Sequence, residues 1–397
     1  MLEAIKEQVQ KIALDIEQEM WEAALFIHEH PELGDHEFLA AERLTGLLKQ
    51  HGFTVELGIA GRETAFRGTY ELQGNTSPTV AYIAEYDALP EVGHACGHNL
   101  IGTMSVGAGI ALSKIQDGLG GRIVVLGSPD EEGGGGKISL VTHGYFDDVD
   151  AALMIHPGDK DVKRKFNLAA FPVVVEFRGK PAHAASEPFS GINALDAMIQ
   201  LFNNIGLLRQ QLQDDVRIHG IITHGGAASN IIPDYTRGEF IVRASELNRT
   251  YETLEKFKRC VKAAAMATGA SEEIQVDLEH KYEPLMTNNV LMDLYAENMR
   301  ILGIDVEEQV LSELGGSSDI GNVSQVVPAI HPTGRIVQPG KEVPGHSYEF
   351  ALASKSDEAK QGMLRGIQTL AMCGVDLLGN PDILDAAKNE FQQKTAG

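Results

Sequence analysis

The chain has 397 residues, more than one hydrophobic core usually supports, so two domains are expected. Its 33 Lys and Arg against 56 Asp and Glu give a formal net charge of -23, which disfavours nucleic acid and anionic membranes as partners. Three distant cysteines form no disulfide framework and no run of about 18 apolar residues predicts a membrane span, so a cytoplasmic location is expected.

The first part of the chain predicts helices and strands in alternation. Apolar spacing predicts four helices, over residues 3–29, 40–51, 103–116 and 138–145. Short apolar runs predict three strands, at 79–84, 122–128 and 151–155. This alternation predicts an α/β domain with a mostly parallel sheet flanked by helices.

The pattern changes near residue 167. Strands are predicted at 168–177, 218–224, 236–244 and 273–282, and helices over 192–211 and 250–268. Two helices on an antiparallel sheet make an inserted α+β domain, residues 167–282. The α/β pattern then returns, with helices over 290–302 and 356–378 and a strand at 327–330. The first domain is therefore predicted to be discontinuous, residues 1–166 and 283–397.

Polar side chains directly follow the three strands predicted before the insert. Asp87 comes after the first, the pair Glu131 and Glu132 after the second, and His156 after the third. Because the carboxyl ends of parallel strands meet at one edge of a sheet, these side chains are expected to lie close together. Open α/β sheets bind their ligands at that edge, so we expect a functional site there.

Cys96 and His98 lie in the sequence HACGHN at 94–99, ahead of an apolar helical run. Thiolate and imidazole both bind Zn and similar ions, and a two-residue spacing in a turn can direct both at one point. Taken alone, however, a cysteine is more often a small core residue than a ligand. The motif therefore predicts a metal site only together with other donors.

The acidic pair precedes four glycines, 133–136, which predict a mobile loop. Beside the sheet edge, one carboxylate can bind metal while its neighbour accepts a proton from metal-bound water. Alone, the pair would be solvated surface, His156 a packed histidine and His346, in PGHS at 344–347, a loop residue. The combination of soft and hard donors at one predicted edge indicates a metal centre.

These motifs closely resemble the metallopeptidase family of aminoacylases, indole-acetyl-amino-acid hydrolases and aminobenzoyl-glutamate hydrolases, and the resemblance covers nearly the whole chain. Its amidohydrolase branch has a His-x-Cys-Gly-His motif, a Glu-Glu pair, a His after the next strand and a late His, matched in order here by Cys96, His98, Glu131, Glu132, His156 and His346. The resemblance implies two divalent metal ions per subunit, Zn or Mn. It also implies that Cys96 bridges the ions, that Glu132 and the three histidines complete the ligands, and that Glu131 is the general base.

The residue after the motif distinguishes branches of the family. Many members of the indole-acetyl branch have Asp after the Gly-His, whereas this chain has Asn99, which is similar to the aminobenzoyl-glutamate and dipeptidase branch. The sequence AEYDALP at 84–90 also resembles that branch. Within it, Asp87 either orients a metal ligand or caps the turn before Pro90.

In the resembled family, the inserted domain is a lid that also carries the dimer interface. The sequence GKPAHA at 179–184 resembles a lid motif whose histidine, here His183, reaches an active site and assists at the oxyanion. The family's lid residues that contact the substrate carboxylate are matched by Asn230 and Arg243. A glycine-rich binding loop is matched by Gly315, Gly316 and Ser317.

The function predicted on these grounds is hydrolysis of the amide bond of a dipeptide or an aminobenzoyl-glutamate-like substrate. An aminoacylase acting on N-acyl amino acids is the alternative within the enzyme class. A non-catalytic peptide-binding protein is the alternative outside it. The expected partners are a small-molecule substrate and further copies of the chain, as a dimer through the lid or a larger oligomer.

Overall fold

The computed structural model describes residues 1–115, 117–164, 166–308 and 316–396 and divides them into two compact units. The second unit comprises Asn167–Pro284 together with Gly316 and Ser317, and the first unit comprises the rest. The insert expected from the sequence, 167–282, stops two residues earlier and leaves out Gly316 and Ser317. None of the helices among the described residues combines the length and apolar character that crossing a bilayer requires.

Before the insert, the described residues of the first unit form the helices α1 (Leu2–Asp15), α2 (Glu17–Glu29), α3 (Phe38–Gln50), α4 (His98–Ser113) and α5 (Gly136–Thr142). Its strands there are β1 (Thr54–Leu57), β2 (Phe66–Leu72), β3 (Thr79–Glu85), β4 (Gly121–Ser128), β5 (Ala151–Leu153), β6 (His156–Gly158) and β7 (Val162–Arg164). The second unit has strands β8 (Ala169–Arg178), β9 (Arg217–His224), β10 (Tyr235–Ala244) and β11 (Ser271–Val276) and helices α6 (Ala194–Leu208) and α7 (Leu247–Thr268).

After the insert, the first unit adds helices α8 (Asn289–Ile301), α9 (Ile320–Ser324), α10 (Tyr348–Ala353), α11 (Asp357–Gly379) and α12 (Pro381–Thr395). It also adds three short strands, β12 (Glu307–Glu308), β13 (Ala329–Ile330) and β14 (Thr333–Arg335).

The main sheet of the first unit has six strands in the order β1-β2-β4-β3-β5-β13. Strands β4, β3, β5 and β13 are parallel to one another, and β2 and β1 extend the sheet antiparallel at one edge. All seven residues of β3 are buried, as expected for a central strand, and the apolar helix α4 packs on it. The predicted α/β fold with a mostly parallel, helix-flanked sheet is confirmed.

A second, smaller sheet in the first unit has the order β12-β7-β14-β6. Its strands are two or three residues long, too short for an apolar pattern to predict them. Strand β6 begins at His156 and pairs in parallel with β14, which fixes the backbone of that histidine.

The second unit is a four-stranded antiparallel sheet in the order β11-β8-β10-β9, with α6 and α7 packed on it. Alternate residues of β8 and β10 are buried, and they form a core with the apolar faces of both helices. This is the α+β architecture expected for the insert.

The predicted limits differ most in one strand and two helices. The strand expected at 273–282 ends at Val276. The helix expected over 3–29 is broken at Ile16 into α1 and α2, although no Gly or Pro marks the break in sequence. Ile16 is itself buried, so tertiary packing sets this break. Helix α4 begins at His98, five residues before its predicted start, behind Gly97 at a φ of +78°. Its predicted end, Gln116, lies outside the described residues.

Candidate metal centre

The donors predicted from the sequence gather in the first unit at the carboxyl edge of its parallel strands. Asp87 lies two residues after β3, the acidic pair follows β4, and His156 opens β6 just beyond β5. Cys96 lies in the loop before α4, and His98 is the first residue of that helix. The backbone N–H of His346 donates to the carbonyl of Ala95 over 2.9 Å, which ties the late histidine to the cysteine loop.

The donor atoms form two groups that share the thiol. Cys96, His98 and His156 each offer an atom within 4.8 Å of the others, and so do Cys96, Glu132 and His346. The sulfur of Cys96 lies 3.3 Å from Nε2 of His156, and Nε2 of His346 lies 3.3 Å from Oε1 of Glu132. The arrangement can therefore hold two cations with the thiolate between them.

Hydrogen bonds orient the imidazoles. Nδ1 of His98 donates to Asp87 over 2.8 Å, and Nδ1 of His156 donates to the carbonyl of Pro157 over 2.7 Å. Both rings therefore turn Nε2 towards the centre, and Nε2 of His98 makes no hydrogen bond within the described part of the chain. The other oxygen of Asp87 accepts the backbone N–H of Glu132 over 3.0 Å, so Asp87 positions two predicted ligands.

The charges of the site are strongly perturbed. Burial, with the nearby carboxylates of Glu85 and Asp319, raises the pKa of Glu131 to about 8. Burial also acts on Glu132, but the hydrogen bond from His346 and the charge of His98 outweigh it and hold the pKa of Glu132 below its usual range. The pKa values of the two neighbouring carboxyls are thus shifted in opposite directions, which suits Glu131 to carrying a proton and Glu132 to binding a metal ion.

The charge of His346 shows whether a cation fits this centre. Hydrogen bonds to Cys96 and Glu132 raise the pKa of His346 to about 10, so a positively charged imidazolium stands beside the carboxylate of Glu132. Nε2 of His98 is fully buried, makes no hydrogen bond to the described residues and lies 3.4 Å from a carboxylate oxygen of Glu85, so it is likewise oriented as a ligand. Thiolate, imidazole and carboxylate together suit Zn or Mn, so the residues fit divalent metal.

A buried cluster of charged side chains next to Glu131 was not predicted from the sequence. It contains Glu85 at the end of β3, Lys137 on α5 and Asp319 before α9, all at most 1% exposed. The ammonium of Lys137 lies 2.5 Å from Glu85 and 2.5 Å from Asp319. A carboxylate at a strand end and a lysine behind a glycine run were the available signals, and each is common on protein surfaces.

The four glycines after the acidic pair form a hydrogen-bonded turn, where the sequence indicated a mobile loop. The side chain of Asp130 accepts the N–H of Gly134 over 2.6 Å, and its carbonyl accepts that of Gly135 over 2.8 Å. A Cβ on Gly133 would lie 2.4 Å from the Asp130 carboxylate. The glycines are therefore needed for close approach to Asp130.

In the second unit, His183 and Asn230 lie on adjacent loops. Nδ1 of His183 accepts the backbone N–H groups of Ala185 and Ser186, at 3.2 and 3.1 Å, so its proton is on Nε2. The N–H of Ala184 donates to the carbonyl of Asn230 over 3.0 Å, which joins the two loops. Both side chains are exposed, and the imidazole is preset as a hydrogen-bond donor.

Arg243 and Ser317, also in the second unit, form a separate pair. Nη1 of Arg243 donates to the hydroxyl of Ser317 over 3.0 Å, and burial lowers the pKa of the guanidinium. Gly316 is exposed, and its carbonyl accepts the N–H of Leu168 over 3.0 Å. Gly315, predicted with them, lies outside the described residues.

Comparison with known proteins gives consistent results. The model of peptidase family M20/M25/M40 matches residues 81–362. A human Xaa-Arg dipeptidase is 36% identical over 385 residues, which are 93% of this chain and 87% of that protein. One of the subunits of the p-aminobenzoyl-glutamate hydrolase of Escherichia coli K12 is 29% identical, over 96% of this chain and 92% of its own length.

A solved structure shows the same fold. The dinuclear metal-binding M20 peptidase YXEP of Bacillus subtilis superposes with a TM-score of 0.68 at 19% identity, over 92% of this chain and 99% of that chain. Likeness at this identity supports the architecture of both units rather than a particular substrate.

Proposed function

The chain belongs to peptidase family M20/M25/M40 and is a hydrolase of amide bonds, and on this basis we propose that it cleaves dipeptides with a free carboxylate on the amine side. The predicted family, fold class and enzyme class are thereby confirmed. The observation that carries the proposal is the pair of donor groups that share Cys96, with Glu131 beside them.

A dipeptide with a basic carboxyl-terminal residue is the substrate we favour. The human relative that matches 93% of the chain is named for Xaa-Arg dipeptides. The net charge of -23 supports this choice, because an acidic protein attracts cationic substrates from solution. Aminobenzoyl-glutamate is the second candidate, supported by the 29% identical hydrolase subunit.

Two divalent ions would be held by the shared thiolate, by His98 and His156 on one side and by Glu132 and His346 on the other. When bound, such ions polarise a scissile carbonyl and lower the pKa of water. The thiolate favours Zn, whereas imidazole and carboxylate also suit Mn, so we propose either metal.

The charges near the centre agree with two ions. Six negative charges come from the thiolate of Cys96 and from five carboxylates, those of Glu85, Asp87, Glu131, Glu132 and Asp319. The ammonium of Lys137 supplies one positive charge, so the net charge of these groups is five negative charges. Two dications leave a single negative charge when Glu131 is ionised, as it must be before it takes a proton from water. A single ion would leave three negative charges, or two if His346 kept its proton, in a partly buried site, at a large desolvation cost.

Glu131 would move the proton of the reaction. Its carboxylate lies 4.0 Å from Nε2 of His98 and directly precedes the ligand Glu132, so it faces the same centre. Burial brings its pKa near neutrality, where one carboxyl can take a proton from the attacking water and return it to the departing amine. Asp87 would hold His98 in the tautomer that leaves Nε2 free.

The second unit would bind the rest of the substrate. The proton on Nε2 of His183 makes that ring a donor for the developing oxyanion, with Asn230 on the neighbouring loop. Arg243, whose guanidinium donates to the hydroxyl of Ser317, would bind the terminal carboxylate through paired hydrogen bonds, and Gly316, the residue before Ser317, would offer its backbone N–H.

Two copies of the chain would pair through this unit. Strand β9 is an edge strand, and Ile221 and Ile222 on it are 63% and 40% exposed. An exposed apolar edge strand is open to pairing with another chain, which supports the dimer we propose. The cytoplasm is the proposed location, because the function relies on a free thiol and all three cysteines are unpaired.

The first test is the change Glu131→Gln, assayed with a panel of dipeptides and N-acyl amino acids and with Zn or Mn supplied. We expect Xaa-Arg and Xaa-Lys dipeptides to be cleaved fastest. The variant should keep its bound metal and lose turnover by about 10³-fold, since it cannot carry a proton. Undiminished turnover would remove Glu131 from the mechanism, and preference for N-acyl amino acids would favour the aminoacylase alternative.

A further inference from the structure

Glu131 of the acidic pair lies close to two further carboxylates, those of Glu85 and Asp319. Oxygen atoms of Glu85, Glu131 and Asp319 lie within 4.8 Å of one another, and Glu85 and Asp319 are almost completely buried. Like charges at this separation repel strongly where water is excluded. A cation placed among these carboxylates would therefore stabilise the cluster, in addition to any ions bound by the cysteine and histidines.

Lys137 supplies that cation from within the chain. Its ammonium contacts Glu85 and Asp319 at 2.5 Å each, and its backbone N–H donates to the second oxygen of Asp319 over 2.9 Å. The side chain is completely buried, and its carboxylate partners raise the pKa of the ammonium above the usual range, so the charge is retained. Helix α5 and the segment before α9 thus fix one positive charge at a defined point.

Glu85 connects this charge to the metal centre. One of its oxygens contacts Lys137, and the other lies 3.4 Å from Nε2 of His98. Without the ammonium, Glu85 and Asp319 would repel the carboxylate of Glu131 and compete for cations intended for the centre.

We infer that the ammonium of Lys137 permanently occupies a third cation site, and that it acts as a positioning residue that keeps Glu131 beside the two-metal centre. This inference rests on the proposed function for its catalytic consequence only. The cation site itself is a property of the buried cluster, so it can be tested without a substrate.

The test replaces Lys137 by Ala and returns the missing part as a small molecule. The change removes a propyl-ammonium group, so n-propylammonium is the matched ligand and 1-propanol its neutral counterpart. We expect 50 mM n-propylammonium to raise the unfolding midpoint of K137A by about 3 °C, with no shift from 1-propanol. The control K163A removes a lysine that bridges Asp293 and Glu308 at the surface and should respond to neither.

Kinetics test the positioning role on the same variants. K137A should lose about 100-fold in kcat with KM within about 3-fold, and n-propylammonium should restore at least about tenfold while the bound metal count stays unchanged. Equal rescue by 1-propanol, or wild-type kcat in folded K137A, would overturn the inference.

A volume-conserving variant covers the case in which K137A does not fold. K137M keeps the side-chain length without the charge, and it should show the same loss in kcat. A K137M enzyme with wild-type kcat would overturn the inference. If no dipeptide is cleaved by the wild-type chain, the thermal measurement still decides on the cation site, so failure of the proposed function is separately visible.

Discussion

A single buried carboxyl, Glu37, holds the turn that carries the acidic pair. One of its oxygens accepts the N–H groups of Asp130 and Asp35, at 2.9 and 3.1 Å, and the other accepts the hydroxyl of Thr64 over 2.8 Å. The side chain is fully buried, and that burial raises the pKa of Glu37 from 4.5 to about 7.

This raised pKa predicts a pH dependence of stability. Between pH 4.5 and 7 the unfolded chain releases this proton more readily than the folded chain, so Glu37 makes stability fall as the pH rises. We expect Glu37→Gln to remove a penalty of up to about 3 kcal/mol at pH 7.5 and nothing at pH 4. The amide can keep all three hydrogen bonds, because the Thr64 hydroxyl can accept as well as donate.

Urea unfolding at several pH values measures this effect, with Glu42→Gln as the control because Glu42 is exposed on the next helix. If E37Q and E42Q give parallel stability profiles, Glu37 does not titrate as described.

The sequence predicted that the proposed metal donors would gather, but it did not predict the side chains that surround them. The convergence of Cys96, His98, Glu132 and His156 was predictable from a motif or from a position after a strand, and that of His346 from the family resemblance. Lys137, Glu85 and Asp319 were not, because only the folded chain shows that an ordinary lysine and two ordinary carboxylates are buried together.

Among the elements, the turn between β4 and α5 depends on Arg62. Its guanidinium donates to Asp130 over 3.1 Å, to the carbonyl of Gly134 over 2.9 Å and to the hydroxyl of Ser139 over 2.9 Å. Asp130 has a φ of +56°, a left-handed conformation that costs free energy in a residue other than glycine. Arg62 therefore stabilises a strained turn directly before Glu131, the proposed general base.

Replacing Arg62 by Met should release this turn. We expect kcat to fall by about 100-fold, because a displacement of about 1 Å at a catalytic group has that effect. Arg67→Met is the matched control: its side chain is 12% exposed against 11% for Arg62, and it pairs with Asp148 on the same unit. Steady-state kinetics and thermal unfolding distinguish the two variants, since R67M should lose stability but keep the wild-type kcat. Equal losses of kcat would show that Arg62 has no specific role.

The long elements were predictable and the short ones were not. Strands β3, β4, β8 and β10 and helices α7 and α11 have seven or more residues with clear burial patterns, and each was expected within a few residues. Strands β6, β7 and β14 have three residues each, and their pairing is set by tertiary contacts. The break at Ile16 likewise reflects packing against the core.

For the whole molecule, the exposed edge strand leads to a prediction on assembly. Ile221→Lys should convert a dimer into a species of one chain mass, 42.9 kDa, because a charged edge strand resists pairing. Met266→Lys, on α7 and 85% exposed, is the control and should leave the dimer intact. Light scattering after size exclusion gives the masses. A dimeric I221K protein, or a monomeric M266K protein, would place the interface elsewhere.

The first unit is interrupted in sequence, and this has a consequence for the growing polypeptide. Strand β13 joins β5 only after the intervening segment of more than 170 residues has been synthesised, whereas the sheet of the second unit closes within one continuous stretch. Of the side chains that we propose to bind metal, His346 leaves the ribosome last. Products that stop before it lack that donor, so the proposed two-metal centre cannot be complete in them.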